Sequence, residues 1–327
     1  NGERRIREGF VHRRYLVPQS TPHSDTSPPG ISAAEIESPS AVPDPLANTS
    51  LPMTQERPNA LSDEAIEFRS QVYSKEGYLP STKMGQFDVT YRPASGILSI
   101  RVKCRFVFEP GMQTVIIPNA RDPGNAPSMA SWSPVSWPSA DEARQELAKR
   151  AFLKQASETW SLGHVFECRK KGFESFRAIP VVQFVEALPR ESETFEIRIY
   201  NGDFPDHICG KRANSRVTGC VLGRTGHFEA MALGDDYTVR HEVGHMFGLG
   251  DEYFGTSVPP GKAEHSDLVE KEFGHDVKRR NDDTVSAMAQ GKTVLPEHGV
   301  IFLEALRSIT NIPEWRPIPV VRLVPEP

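Results

Sequence analysis

The chain has 327 residues, and 38 Lys plus Arg against 43 Asp plus Glu give a formal net charge of −5. This mild balance excludes the strong basic excess of a dedicated nucleic-acid binder and leaves no polybasic block for anionic membranes. Hydrophobic residues at 38% and 28 prolines describe a globular domain joined to a disordered segment, and no run approaches the ~18 apolar residues of a membrane span.

Residues 1–80 read as a leader. The stretch Pro18–Pro58 is rich in Pro, Ser and Thr and lacks aromatics, so it cannot bury enough apolar surface to offset its ordering entropy. One short helix is predicted within the leader, at Ser62–Tyr73. The opening NGERRIREGF has charges but no apolar stretch, so no signal peptide is expected, and a first residue other than Met points to a processed fragment. From Phe87 the pattern changes. Phe87, Val89 and Tyr91 alternate with polar residues, and Leu98, Ile100, Val102, Cys104, Phe106 and Phe108 do so after a Pro93–Gly96 turn. Period 2 on both arms predicts a β-hairpin with one face on a core.

Residues 110–138 read as loop. Ser139, with Glu142 three residues on, predicts a capping box and a helix over 140–160, with an apolar face of Leu147, Leu153, Ala156 and Trp160. Ile179–Leu188 and Phe195–Tyr200 read as strands joined by a polar turn, and His227–Leu233 as a further short strand. A second helix is predicted at Asp236–Phe247, a solvated charged insertion at Lys262–Asp283, a last helix at Glu297–Ser308, and an extended tail at Trp315–Pro327. Strands, helix, strands, helix make a mixed α/β layer rather than a sandwich. Among the four cysteines no CxxC pair occurs, so no Cys-zinc site is expected. Cys209 and Cys220 flank a short polar loop, and both a disulfide and free thiols fit that spacing.

The chemistry concentrates in residues 237–253, YTVRHEVGHMFGLGDEY. His241, Glu242 and His245 form H-E-x-x-H. On a helix, i and i+4 share a face, so two imidazoles can bind one Zn²⁺ while Glu242 reaches water beside it. Gly248 can end the helix in a left-handed conformation and turn the chain back. Asp251 then supplies a third ligand; Glu252 or a more distant Glu is the alternative. Among the other histidines, His12 and His23 lie in the leader, and His164, His207, His265 and His275 show no ligand spacing.

HEVGHMFGLGD resembles the metzincin signature H-E-x-x-H-x-x-G-x-x-H, with Asp in place of the third His as in snapalysin-like metallopeptidases. SAMAQG at 286–291 is similar to the Met-turn of that family, with Met288 as its methionine. The resemblance implies a metzincin-like α/β fold with a twisted mixed sheet. It divides 81–327 into an N-terminal subdomain, 81–249, and a smaller C-terminal one, 250–327, with one catalytic Zn²⁺ between them. It implies Asp251 as third ligand, Glu242 as general base, and peptide-bond hydrolysis of a protein or peptide substrate. It also places a substrate-pairing sheet edge just before the active helix, where His227–Leu233 stands. The sequence departs from several metzincins in having no Tyr after the Met-turn. His298 and Tyr253 are the candidate replacement donors. The leader suggests a secreted or translocated bacterial effector or toxin that meets delivery machinery through it. A degenerate, non-catalytic binding module and a zinc hydrolase of a non-peptide amide are the rival readings.

Overall fold

The structure is a computed structural model, and it describes residues 61–117, 129–138, 141–161, 163–192, 195–203, 208, 218–234, 236–252, 265–277 and 285–318. Its content is mixed α/β. The strands are β1 (Tyr73–Tyr78), β2 (Phe87–Arg92), β3 (Ile97–Ile117), β4 (Met129–Val135), β5 (Phe166–Cys168), β6 (Arg177–Glu186), β7 (Phe195–Asn201), β8 (Gly219–Leu222), β9 (Thr225–Glu229) and β10 (Trp315–Pro317). The helices are α1 (Asp63–Ser70), α2 (Glu142–Trp160), α3 (Asp236–Phe247), α4 (His265–Phe273) and α5 (Val300–Thr310). One mixed sheet runs β10-β5-β6-β3-β7-β9-β8, with β1, β2 and β4 attached through β3 and its hairpin.

The alternating arms behave as their period dictates. Phe87, Val89, Tyr91, Leu98, Ile100, Val102 and Cys104 are all buried, and β2 pairs β3 antiparallel with Tyr91 opposite Leu98. β6 and β7 are not a hairpin: both lie parallel to β3, along residues 97–104 and 104–110 respectively. Parallel pairing is invisible to a periodicity argument, which sees only which face each strand buries.

Several expected boundaries move. The leader was placed over residues 1–80, yet residues 61–80 belong to the folded unit. α1 begins at its cap Ser62, whose hydroxyl accepts from the Ala65 amide. It buries Phe68 among Tyr73, Tyr91, Phe173 and Phe176. β1 then pairs β2, and Tyr78 donates to Glu304 of α5 at 2.9 Å. The compositional contrast at Phe87 hid this, because β1 itself (YSKEGY) is polar. The segment Pro18–Pro58 lies outside the described residues.

The 110–138 loop also contains structure, since β3 continues to Ile117 and pairs β4. Pro110–Gly111 reads as a break. The glycine is there because the end of β7 comes so close that a Cβ would stand 2.5 Å from the Asn201 carbonyl. On α2 the buried residues are Phe152, Ala156 and Trp160, while Leu147 is exposed. The N-cap is Asp141, without a side-chain cap bond, and Ser139 lies outside the described residues. Within the charged 262–283 stretch, α4 buries His265, Ser266 and Val269, so it is packed rather than wholly solvated. The last helix divides into a 3-10 turn at Pro296–Gly299 and α5. The tail is anchored by Trp315, fully buried in β10 against Tyr91. No helix among the described residues is long and apolar enough to cross a membrane.

Candidate metal centre

α3 lies against α2 and beside the sheet edge. Val239, Val243, Met246 and Phe247 are its buried apolar residues. Phe247 meets Trp160 of α2, Phe87 of β2, Phe184 of β6 and Phe302 of α5 in edge-on contacts with ring centroids 5.1–6.1 Å apart. Trp160 also donates its indole N–H to the Arg240 carbonyl at 3.2 Å. The helix is therefore held on several sides before any ligand is considered.

The remaining face carries His241 and His245, whose ring centroids are 4.9 Å apart. The helix ends at Gly248, with φ +100 and its amide bonded to the His245 carbonyl. A side chain there would collide: a Cβ would lie 2.5 Å from the Met84 carbonyl and 2.7 Å from the Thr82 hydroxyl. Residues 82–86 wrap this end, and the Gln86 amide donates to the Met246 carbonyl. The reversal at Gly248 brings Asp251 back over the helix. Its Oδ1 stands 3.1 Å from His241 Nε2 and 3.4 Å from His245 Nε2. One ligand atom from each of the three side chains lies within 4.8 Å of the others, so the group can hold a metal ion.

The outer ring nitrogens decide what this cluster requires. His241 Nδ1 is 2.9 Å from the Ala287 carbonyl and His245 Nδ1 is 2.8 Å from the Leu249 carbonyl. A carbonyl cannot donate, so each Nδ1 carries a proton, and it is the Nε2 of each ring that faces inward, with a lone pair whenever that nitrogen is deprotonated. Two lone pairs then face a carboxylate oxygen. That arrangement is repulsive unless a cation stands among them, either a proton or a metal. Burial pushes His245 down, but the charge and hydrogen bond of Asp251 outweigh it and hold the imidazole up at about 9. Asp251, which burial alone would raise, is held far below the ordinary carboxylate range by His245 and His241. Two imidazoles and one carboxylate, with the imidazoles deprotonated at Nε2, form a donor set of the kind that holds Zn²⁺.

Glu242 is buried beside them. Burial raises its pKa, against the pull of His241 and His245, and Asp251 adds to the rise. A backbone hydrogen bond from Val221 on β8 opposes it. β8, antiparallel to β9, ends the sheet order; β9, with His227–Glu229, is an inner strand between β7 and β8. The expected edge at His227–Leu233 is thus displaced to Gly219–Leu222, and Ala230–Gly234 forms a 3-10 turn. The hairpin hid the true edge because its outer arm has only four residues.

Met288 is fully buried against α3. A Cβ on Gly244 would lie 2.2 Å from its sulfur, so this glycine lets the methionine loop touch the helix between the two histidines. Glu252 is not in the His241, His245 and Asp251 group. It is fully buried, and its carboxylate meets Ser286 and His298. His298 does not reach the cluster either, because both of its ring nitrogens are engaged around Glu252 and Leu295. Tyr253 lies outside the described residues. Cys220 is disulfide-bonded; Cys209 lies outside the described residues, and Cys104 and Cys168 are free and buried.

Sequence reasoning passed over Tyr237, one turn before His241. Its ring stacks on His241 at 5.6 Å and its hydroxyl donates to the Ala289 carbonyl at 2.7 Å. Position i−4 was the signal that marked it. A surface groove of ≈ 680 Å³ lined by Trp137, Arg144, Leu147, Met231 and Leu233 contains none of the candidate ligands. No family model, no curated protein and no solved structure matches the chain.

Proposed function

We propose that the chain is a zinc-dependent endopeptidase with a metzincin-like fold. The observation that carries this reading is the convergence of His241, His245 and Asp251 beside the buried carboxyl of Glu242. Those three side chains would hold the ion. A Zn²⁺ bound there supplies a Lewis acid that polarises a scissile carbonyl and acidifies water. Glu242 supplies the proton transfers: its carboxylate takes a proton from the attacking water and returns it to the leaving amine nitrogen. A carboxyl whose proton affinity is raised by burial suits both steps near neutral pH better than an exposed one. An extended peptide would approach along the β8 edge, which borders α3. Met288 packs against α3, the helix that carries both histidines.

The test combines metal analysis with a peptide-library digest, each with and without phenanthroline. The expected result is about one zinc per chain, as a catalytic site of this type holds, and cleavage abolished by the chelator. Zinc without cleavage of any peptide would shift the reading to a binding module or a hydrolase of another amide. Full activity in protein lacking stoichiometric metal would overturn it.

A further inference from the structure

The most buried charge near the centre is one that the hydrolytic reading leaves idle. Glu252 is fully buried; two side chains donate to it and a third stands close by. His298 Nδ1 accepts from the Leu295 amide at 3.0 Å, so its proton sits on Nε2, which donates to Glu252 Oε1 at 3.1 Å. His265 Nδ1 accepts from the Gly250 amide at 3.0 Å, which likewise turns its Nε2–H toward Oε1, 3.6 Å away. Ser286 donates its hydroxyl proton to Oε2 and accepts the Met288 amide at 3.2 Å. The backbone joins in as well, since the Glu252 amide donates to the Met288 carbonyl at 3.0 Å.

These bonds surround Ala287, the residue whose carbonyl orients His241. Ser286 and Met288, its two neighbours, are both fastened to Glu252. Asp251 is fastened to Glu252 by the peptide bond. Through Ser286 the carboxylate holds the loop whose Ala287 carbonyl orients His241, and through its backbone Glu252 ties that loop to Asp251. It also draws the 3-10 turn before α5, through His298, onto the same point, and His265 of α4 stands beside it. A buried charge is costly unless its lone pairs are met, and here one of the donors that meet it, Ser286, sits on the ligand loop.

We propose that Glu252, with Ser286 and His298, is a positioning cluster that sets the metal affinity and ligand geometry of the centre. This rests on the metal-centre reading above. Groups that orient metal ligands lower affinity by about 10–100-fold when removed.

The experiment titrates the full chain with zinc against a competing chelator, comparing wild type, Glu252→Gln, Ser286→Ala and Ser286→Thr. Each is also loaded with Co²⁺ for its visible absorption spectrum, and its fold is checked by circular dichroism. The expected result is zinc affinity lowered by about 10–100-fold in Glu252→Gln and Ser286→Ala, with altered Co²⁺ bands and an unchanged fold. Ser286→Thr, which keeps the hydroxyl, restores most of both. If Glu252→Gln fails to fold, Ser286→Ala decides, because it removes one hydroxyl and leaves the carboxylate in place. Unchanged affinity and spectra in the folded variants overturn the positioning role alone. A wild-type chain that binds neither metal overturns the metal centre itself, and the proposal with it.

Discussion

Glu242 and Gly244 stand two positions apart on α3 and test different things. Replacing Glu242 by Gln keeps the shape and removes the basic oxygen. Zinc content and melting temperature should hold, while turnover falls by more than the ~10²–10⁴ of a single acid–base group, since the residue also orients the water. A variant keeping a tenth of the rate under steady-state assay would end its assignment as base. Gly244 has no side chain, and that is its contribution. In Gly244→Ala the new methyl enters the space of the Met288 sulfur and comes 3.1 Å from the Trp160 ring. Overpacking of this kind costs ~1–3 kcal/mol. Denaturant unfolding should show that loss, together with weaker zinc binding as the loop under His241 is pushed away. An Ala that is neutral in both measurements would mean the loop is free to move.

Among the elements, α1 and β1 decide where the folded unit begins. Removing residues 1–60 should leave the melting temperature unchanged, whereas removing 1–80 deletes Phe68, Tyr78 and their aromatic contacts. Phe68→Ala alone should cost ~3–5 kcal/mol by chemical denaturation; a much smaller loss would show that α1 packs only loosely. At the other end, Arg307 of α5 grips both carboxylate oxygens of Glu272 on α4 and the Trp315 carbonyl. The Arg307 hydrogen bonds hold Glu272 below the ordinary carboxylate range, against its burial. Its folded pKa is depressed, so this stabilisation is complete above the unfolded value near ~4.5 and fades as pH falls through the lower folded one. Acid titration of stability should therefore be shallower below about pH 4.5 in Arg307→Ala than in wild type. What the sequence made legible follows the range of the forces involved. α3 could be read to the residue, because a local signature, an apolar stripe and a terminating glycine all fall within it. The inner face of β3 was equally plain from its period of two. The partners of β6, the edge position of β8, the packing of α4 and the burial of Glu252 are settled by contacts far apart in the chain. Nothing in a window of ten residues distinguishes His265, bonded to Gly250, from a solvent-facing histidine.

At the scale of the whole molecule, two kinds of distance are set against each other. The candidate ligands all fall within residues 241–251. The carbonyl that orients His241 comes 46 positions later, and the bond between Tyr78 and Glu304 spans 226. Loop-closure entropy grows only slowly with length but must be met before distant contacts return anything. A short span bearing two imidazoles and a carboxylate can gather an ion while the sheet is still unformed, and this has a kinetic consequence. Zinc should enter the denatured ensemble, so that at 100-fold excess over its dissociation constant it raises stability by less than the ~2.7 kcal/mol expected of a ligand that ignores unfolded chains. It should also act on the way in rather than on the way out, lifting the refolding limb of a stopped-flow chevron and leaving the unfolding limb nearly where it was. If zinc slows only unfolding, the ion waits for the finished molecule. If it speeds refolding, the short span between His241 and Asp251 serves as a folding nucleus whose formation depends on how much free metal the chain meets as it folds.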